Sequence, residues 1–440
     1  MKAKKVLASL MTASVAAGML AGCGSGSSSG TTAAGASGEA QNFSGQTIEI
    51  DVGGEMDDSS MQQFKDMTAA FASQTGATIN VVTNGNDHEQ VMKTKMASQT
   101  LPDIWSTHGW STVRYNDFLM DLSDQPWVSN MDDAIAAVVT DSNGKVCTMP
   151  MTEWIYGFIY NKDVLDANNI DPSSIKTWDD FFDACATLKA AGVTPVGYGD
   201  KETGVLAGYL EMMSSWYTID KAAYPSNDEL KNGTFDFTKH TECLENFAKL
   251  WDEGYQNSDV FTTDRDTYLR RLGDGTYAFV IWGSPQNLNT MQEYYPDANY
   301  GIMPVPAVND SSNAAYTVGE GVALGIGKDT KYPELCKAYL QYMNDNLTDF
   351  IKVNGNLPGM KGIEVPENKS IKIYTDSVAA AGDRISYCNF FDREYLPSGM
   401  WNIMEESMVN LYNGGGAAAD QVASSAQKLQ DNFVTLYGSN

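Results

Sequence analysis

Histidine is scarce in this chain. His88, His108 and His240 are the only three among 440 residues. His88-Glu89 is not followed by the second histidine of a zinc-protease helix. No Cys-x-x-Cys pair occurs, so neither a zinc site nor a dithiol redox centre is expected. A Gly-x-Ser-x-Gly elbow between strand and helix is missing, and so is a Gly-x4-Gly-Lys-Ser/Thr phosphate loop. Any ATP hydrolysis would therefore belong to a partner. Positive charge is short as well: 29 Lys and Arg stand against 56 Asp and Glu, a net charge of −27. That field repels phosphate backbones and anionic lipid headgroups, so nucleic acid is excluded as an expected partner. There is no internal repeat and no heptad array. No metal and no cofactor are expected.

What is present begins with a segment from Val6 to Leu20 that is apolar and small, broken by Ser and Thr. It is too short and too polar for a comfortable membrane span. With Lys2, Lys4 and Lys5 ahead of it, residues 1–22 read as a secretory signal. Leu20-Ala21-Gly22-Cys23 resembles a bacterial lipobox. The resemblance implies cleavage before Cys23 and a lipid on its thiol, so that the mature chain is anchored at the extracellular face of the cell membrane. Residues 23–45 are almost all Gly, Ser, Ala and Thr and read as a flexible tether, with a reach of roughly 25 Å.

From Thr47 onward apolar strands alternate with helical patterns. A body of about 395 residues exceeds one ordinary core and predicts two domains. Strands are expected at Thr47–Val52, Thr78–Thr83, Asp103–Thr107, Lys145–Pro150, Tyr156–Tyr160, Thr276–Trp282 and Gly321–Gly327. Helices are expected at Met61–Ser73, His88–Ser98, Val205–Tyr217 and His240–Asp252. Another runs from the Thr177 cap, with Asp180 three residues on, to Leu188. The last hundred residues read as mainly helical. Strands alternating with helices of this length mean an α/β fold. With Cys23 assigned to lipid, five cysteines remain, so at least one is unpaired. Cys185, Cys243 and Cys336 fall on apolar helix faces and read as core residues.

Tyr160-Asn161-Lys162-Asp163, followed by Thr177-Trp178-Asp179-Asp180-Phe181, resembles the signature of the family 1 extracellular solute-binding proteins. These are receptors of carbohydrate ABC importers, with maltose-binding protein as a structural relative. Leu101-Pro102-Asp103-Ile104, Gly275-Thr276-Tyr277-Ala278-Phe279 and Gly301-Ile302-Met303-Pro304-Val305-Pro306 resemble further family segments, in the family's order. The resemblance implies a two-lobe periplasmic-binding-protein type II fold with a ligand cleft between the lobes. It places residues 46–150 and 283–328 in lobe 1 and residues 151–282 and 329–440 in lobe 2, with crossovers near 149–153 and 278–283. It also implies a monomer that delivers a carbohydrate to a two-subunit permease served by a separate ATPase.

A sugar offers an apolar face of C–H groups and a rim of hydroxyls, so its site needs flat rings beside convergent polar groups. Trp110 follows the third strand. Glu153, Trp154 and Tyr156 flank the first crossover, Trp282 ends a strand, and Trp401 opens a late helix after Pro397-Ser398-Gly399. Polar candidates are Glu55 and Asp57 after the first strand, Glu320 before the strand at 321–327, and Arg393. A surface-anchored glycoside hydrolase needs only two carboxylates and remains an alternative. Receptors for peptides, polyamines or metal complexes, or a tethered adhesin, are the others.

Overall fold

A computed structural model describes residues 41–85, 87–202, 204–214, 227–307, 314–365, 369–381 and 385–438. The expected signal segment, Cys23 and the tether up to residue 40 lie outside the described residues. Two sheets, each within its own core, organise the rest.

The first sheet has five strands, in the order Thr78–Gly85, Thr47–Gly53, Ile104–Ser106, Ala323–Ile326, Met149–Pro150. The first three run parallel, and Ala323–Ile326 is antiparallel to both neighbours. Parallel neighbours need crossover helices, which Asp58–Thr75 and His88–Ser98 supply. On the first of these Phe64, Met67, Thr68 and Phe71 are buried at helical spacing, Met61 only half so, Asp57 caps its start, and Gly76 closes its end in the left-handed region at φ 73°.

The second sheet has seven strands around Thr152–Asn161, which pairs with Tyr277–Gly283, Tyr300–Met303, Ala314–Glu320 and Leu357–Pro358. Its main core joins Phe158, Phe181, Leu188 and Phe279 to the inner faces of helices Glu242–Asp252, Met400–Asn413 and Val422–Tyr437. Thr177 and Asp180 form a reciprocal capping box at the start of helix Trp178–Ala190. Cys147, Cys185, Cys243, Cys336 and Cys388 are all buried, as reduced thiols.

The chain passes from the first sheet to the second at Met151, and its return lies beyond residues 278–283. Tyr277–Gly283 stays in the second sheet, and Ser284 then caps helix Pro285–Tyr294 with a second capping box. Residues 300–303 and 314–320 also pair there. The return comes only between Glu320 and Ala323. Helices Pro333–Asp345 and Leu347–Asn354, placed in advance with the second lobe, bury Leu335, Tyr339, Leu340 and Phe350 in the core of the first. The Gly-Ser-Pro sequence at 283–285 starts a helix; it does not mark a change of lobe. No helix among the described residues is long and apolar enough to cross a membrane.

Candidate functional site

A cavity of about 520 Å³ opens where the two sheets face each other, lined from one side by His108, Trp110 and Arg114 and from the other by Trp154, Tyr156, Trp282 and Trp401. Strand alternation delivers two of these rings. Trp154 and Tyr156 point into the cavity, while Ile155 enters the core behind. Tyr156 stacks on Trp282 with centroids 5.3 Å apart and planes 19° apart, and Trp282 leans on Trp401 at 6.1 Å. Trp282 sits at φ 65°, a left-handed conformation that costs a bulky residue strain and that tends to mark functional sites. Gly208 gives the ring room, since a Cβ there would come within 2.5 Å of the indole. The indole N–H of Trp282 is buried with no protein acceptor.

The opposite wall is built by a tight turn. His108 and Gly109 both have positive φ, 49° and 84°. Glu320, fully buried, grips that turn: it accepts from Thr107 Oγ1 at 2.7 Å, Gly109 N at 2.5 Å and Ser111 Oγ at 2.7 Å. Gly109 is needed for close approach, because a Cβ would fall 2.4 Å from the Arg393 side chain. His108 keeps a quarter of its side chain accessible within the cavity, yet burial and the nearby Arg393 guanidinium push its pKa down to about 4. It is therefore neutral. Arg114 lies 3.8 Å above the Trp110 ring, pairs with Glu89 and donates to Ser398 at 3.2 Å on the far wall.

Helix His88–Ser98, which carries Glu89 and Gln90 to the rim, is docked by a buried network. Asp51 accepts from Lys95 at 2.7 Å and Asn84 at 2.9 Å and meets His88 at 3.2 Å. Burial would raise the Asp51 carboxyl, but the His88 and Lys95 hydrogen bonds outweigh it and hold it below the usual range. A second depression of about 680 Å³, between helices Glu242–Asp252 and Val422–Tyr437, has no aromatic lining. Flat rings and inward polar atoms single out the cavity between the sheets.

A family model described as bacterial extracellular solute-binding protein matches residues 66–379. The chain belongs to that family. The binding protein is 26% identical over 353 residues to the melibiose/raffinose/stachyose-binding protein MelE of Bacillus subtilis, covering 79% of this chain and 81% of MelE. Among solved structures it resembles a sugar transporter protein of Bacillus licheniformis in complex with stachyose, at 25% identity and TM-score 0.77, covering 89% of this chain and all of that one. It also resembles the Bacillus subtilis binding protein MsmE in an open conformation, at 25% identity and TM-score 0.80, covering 90% and 98% of the two chains. The fold is the two-lobe, type II architecture.

Of the residues singled out in the sequence, the binding protein brings Trp110, Trp154, Tyr156, Trp282, Trp401 and Arg393 to the cavity. Trp110 offers little ring, since Arg114 covers it. Glu320 stands behind the turn. Glu55 folds back on Gly53 N at 3.3 Å. Asp57 caps its helix through Ser60 N at 2.8 Å and meets Gln286 at 3.4 Å. Glu153 shares the face of Ile155, away from the rings, where burial and then Asp132 push its pKa up to about 8. Sequence reasoning missed His108, Arg114, Glu211, Phe390 and Asp392. The one signal available was Glu211, a single acid within the apolar stretch Ala207–Ser214.

Proposed function

We propose that the binding protein captures an oligosaccharide between its lobes and delivers it, unaltered, to an ABC importer from the extracellular face of the membrane. The observation that carries this reading is a shelf of stacked rings beside buried polar atoms that make no hydrogen bond within the protein: Trp282 Nε1, Arg393 Nε and Nη1, the former within ion-pair reach of Asp392, and Glu211 Oε1. Rings take the C–H faces of a sugar, and these donors and this acceptor take its hydroxyls. Kinship with MelE and with the stachyose complex supports the same class. Against turnover stands the arrangement of the most buried cavity carboxyls. Glu211 and Asp392 touch each other, whereas hydrolysis of a glycosidic bond needs two carboxyls about 5 Å or more apart.

Thermal-shift assays with melibiose, raffinose and stachyose test capture. A true ligand at 100 times its Kd adds about 2.7 kcal/mol of stability. A response to peptides or polyamines, with none to any sugar, overturns the reading. Chromatography of the bound sugar after long incubation should return it intact. The anchored form begins at a lipid-bearing Cys23, which mass spectrometry of the exported protein would show, and light scattering should give a monomer.

A further inference from the structure

Two carboxyl groups are buried side by side in the cavity wall. Glu211, on helix Ala207–Ser214, is 2% exposed, and Asp392, in the short helix Phe391–Glu394, is 3% exposed. The Asp392 backbone N–H donates to Glu211 Oε2 at 3.0 Å, and the two side chains are in hydrogen-bonding contact. Glu211 Oε1 is buried and accepts from no N–H or O–H of the protein outside the pair, and both Glu211 and Asp392 line the cavity.

Charge has to balance in so dry a place, because an unpaired buried carboxylate is costly. Arg393 Nε lies 3.7 Å from Asp392 Oδ1. Arg114, on the facing wall, is already matched by Glu89. His108 is neutral, and the Tyr156 phenol, which burial pushes up to about 12, is neutral too. Asp87 and Lys93 sit exposed at the rim. Glu405, on the neighbouring helix Met400–Asn413, accepts from Ala207 N at 2.9 Å at the start of the Glu211 helix. One guanidinium thus serves two carboxyls.

We infer that Glu211 and Asp392 share a single proton, held on Glu211, and that this proton forms part of the binding surface. It lets Glu211 meet a hydroxyl of an uncharged ligand without a second buried negative charge. The inference rests on the carbohydrate reading of the cavity and extends it to a class: neutral sugars bind, and sugars bearing a carboxylate or phosphate are repelled by Asp392. Burial, then the Asp392 carboxylate, raises the Glu211 pKa. A ligand that expels the remaining water makes the ionised form costlier still, so the bound state holds the proton more tightly. By linkage, affinity is greatest while the pair is singly protonated and falls as rising pH removes the proton.

Two measurements test this on the full chain. Infrared difference spectra at neutral pH, wild type minus each variant so that the protonated Glu153 carboxyl cancels, should show the carbonyl stretch of a protonated carboxyl that belongs to the pair. It should be missing in Glu211→Gln, and missing in Asp392→Asn because Glu211 then ionises against Arg393. No such band in the wild type, or a band that survives Asp392→Asn, overturns the shared proton. Calorimetric titration with raffinose and with stachyose over a range from acid to alkaline pH should show affinity falling as pH rises, by about tenfold for each unit of pKa difference between free and bound forms. Glu211→Gln should bind with a flat profile. Wild-type binding that is equally tight at both ends of the range overturns the role of the proton in capture. Infrared spectra as expected, with no response to either sugar, fail the carbohydrate reading and uphold the shared proton.

Discussion

Replacing Trp401 by Ala removes a half-buried ring that leans on Trp282 at the cavity wall. A ring that stacks on a sugar should cost at least ~10-fold in affinity, or ~1.4 kcal/mol, with modest loss of apo stability. A ring that only packs should cost ~3–5 kcal/mol of stability instead. We expect the first outcome for Trp401→Ala, read by titration calorimetry beside apo melting. Glu153 gives the opposite kind of residue, buried where the strands cross and remote from the rings. Its folded pKa of about 8 lies above the ordinary 4.5, so the folded state prefers the protonated form. The sign follows: its contribution to stability is intact at low pH and is lost as pH rises toward and through 8. Glu153→Gln should leave melting near pH 4 unchanged and stabilise the protein above pH 8, by up to roughly 5 kcal/mol. Denaturant titrations at the two pH values check it.

At the scale of elements, helix His88–Ser98 is held less by its own apolar face, which buries only His88 and Met92, than by Asp51 beneath it. Asp51→Asn should weaken Lys95 and His88 together, costing about 2–4 kcal/mol, and should speed amide exchange in residues 88–98 more than in the second sheet. Because the folded pKa of Asp51 is depressed, its contribution is present above the ordinary carboxylate range and lost as pH falls through the folded value. That docking was not legible in the sequence, where Asp51 looks like any acid in a strand. Helix and strand identities were legible, because Phe64, Thr68 and Phe71 recur at helical spacing and Thr177 with Asp180 spells a cap. Trp154 and Tyr156 were legible for a similar reason: alternate strand residues share a face. The second crossover was not, because it depends on which distant strands pair. Nor was the behaviour of Glu55 and Glu320, since residue type does not reveal whether a carboxylate faces a ligand or holds up a turn.

In the whole molecule, the crossings bunch around one residue. Thr152 accepts from Gly321 N at 2.9 Å through its carbonyl and from Val322 N at 2.8 Å through its hydroxyl, and Gly359 N reaches neighbouring Met151 at 3.2 Å. Strand ends clustered this way are the expected place for a hinge, and Arg114–Ser398 and Asp57–Gln286 bridge the two lobes. Saturating ligand should lower the radius of gyration in small-angle scattering, and an unchanged profile would argue against closure by hinge motion. The five thiols add a practical consequence. All are buried, and burial pushes the Cys147 and Cys336 thiols up to about 12, so maleimide dyes should leave them untouched in the native body. Exposed Lys93 lies on the rim of the cavity. Lys93→Cys would therefore accept a single environment-sensitive fluorophore, and its emission should change as the lips close over a captured sugar, making the folded body a reagentless optical gauge of its own ligand.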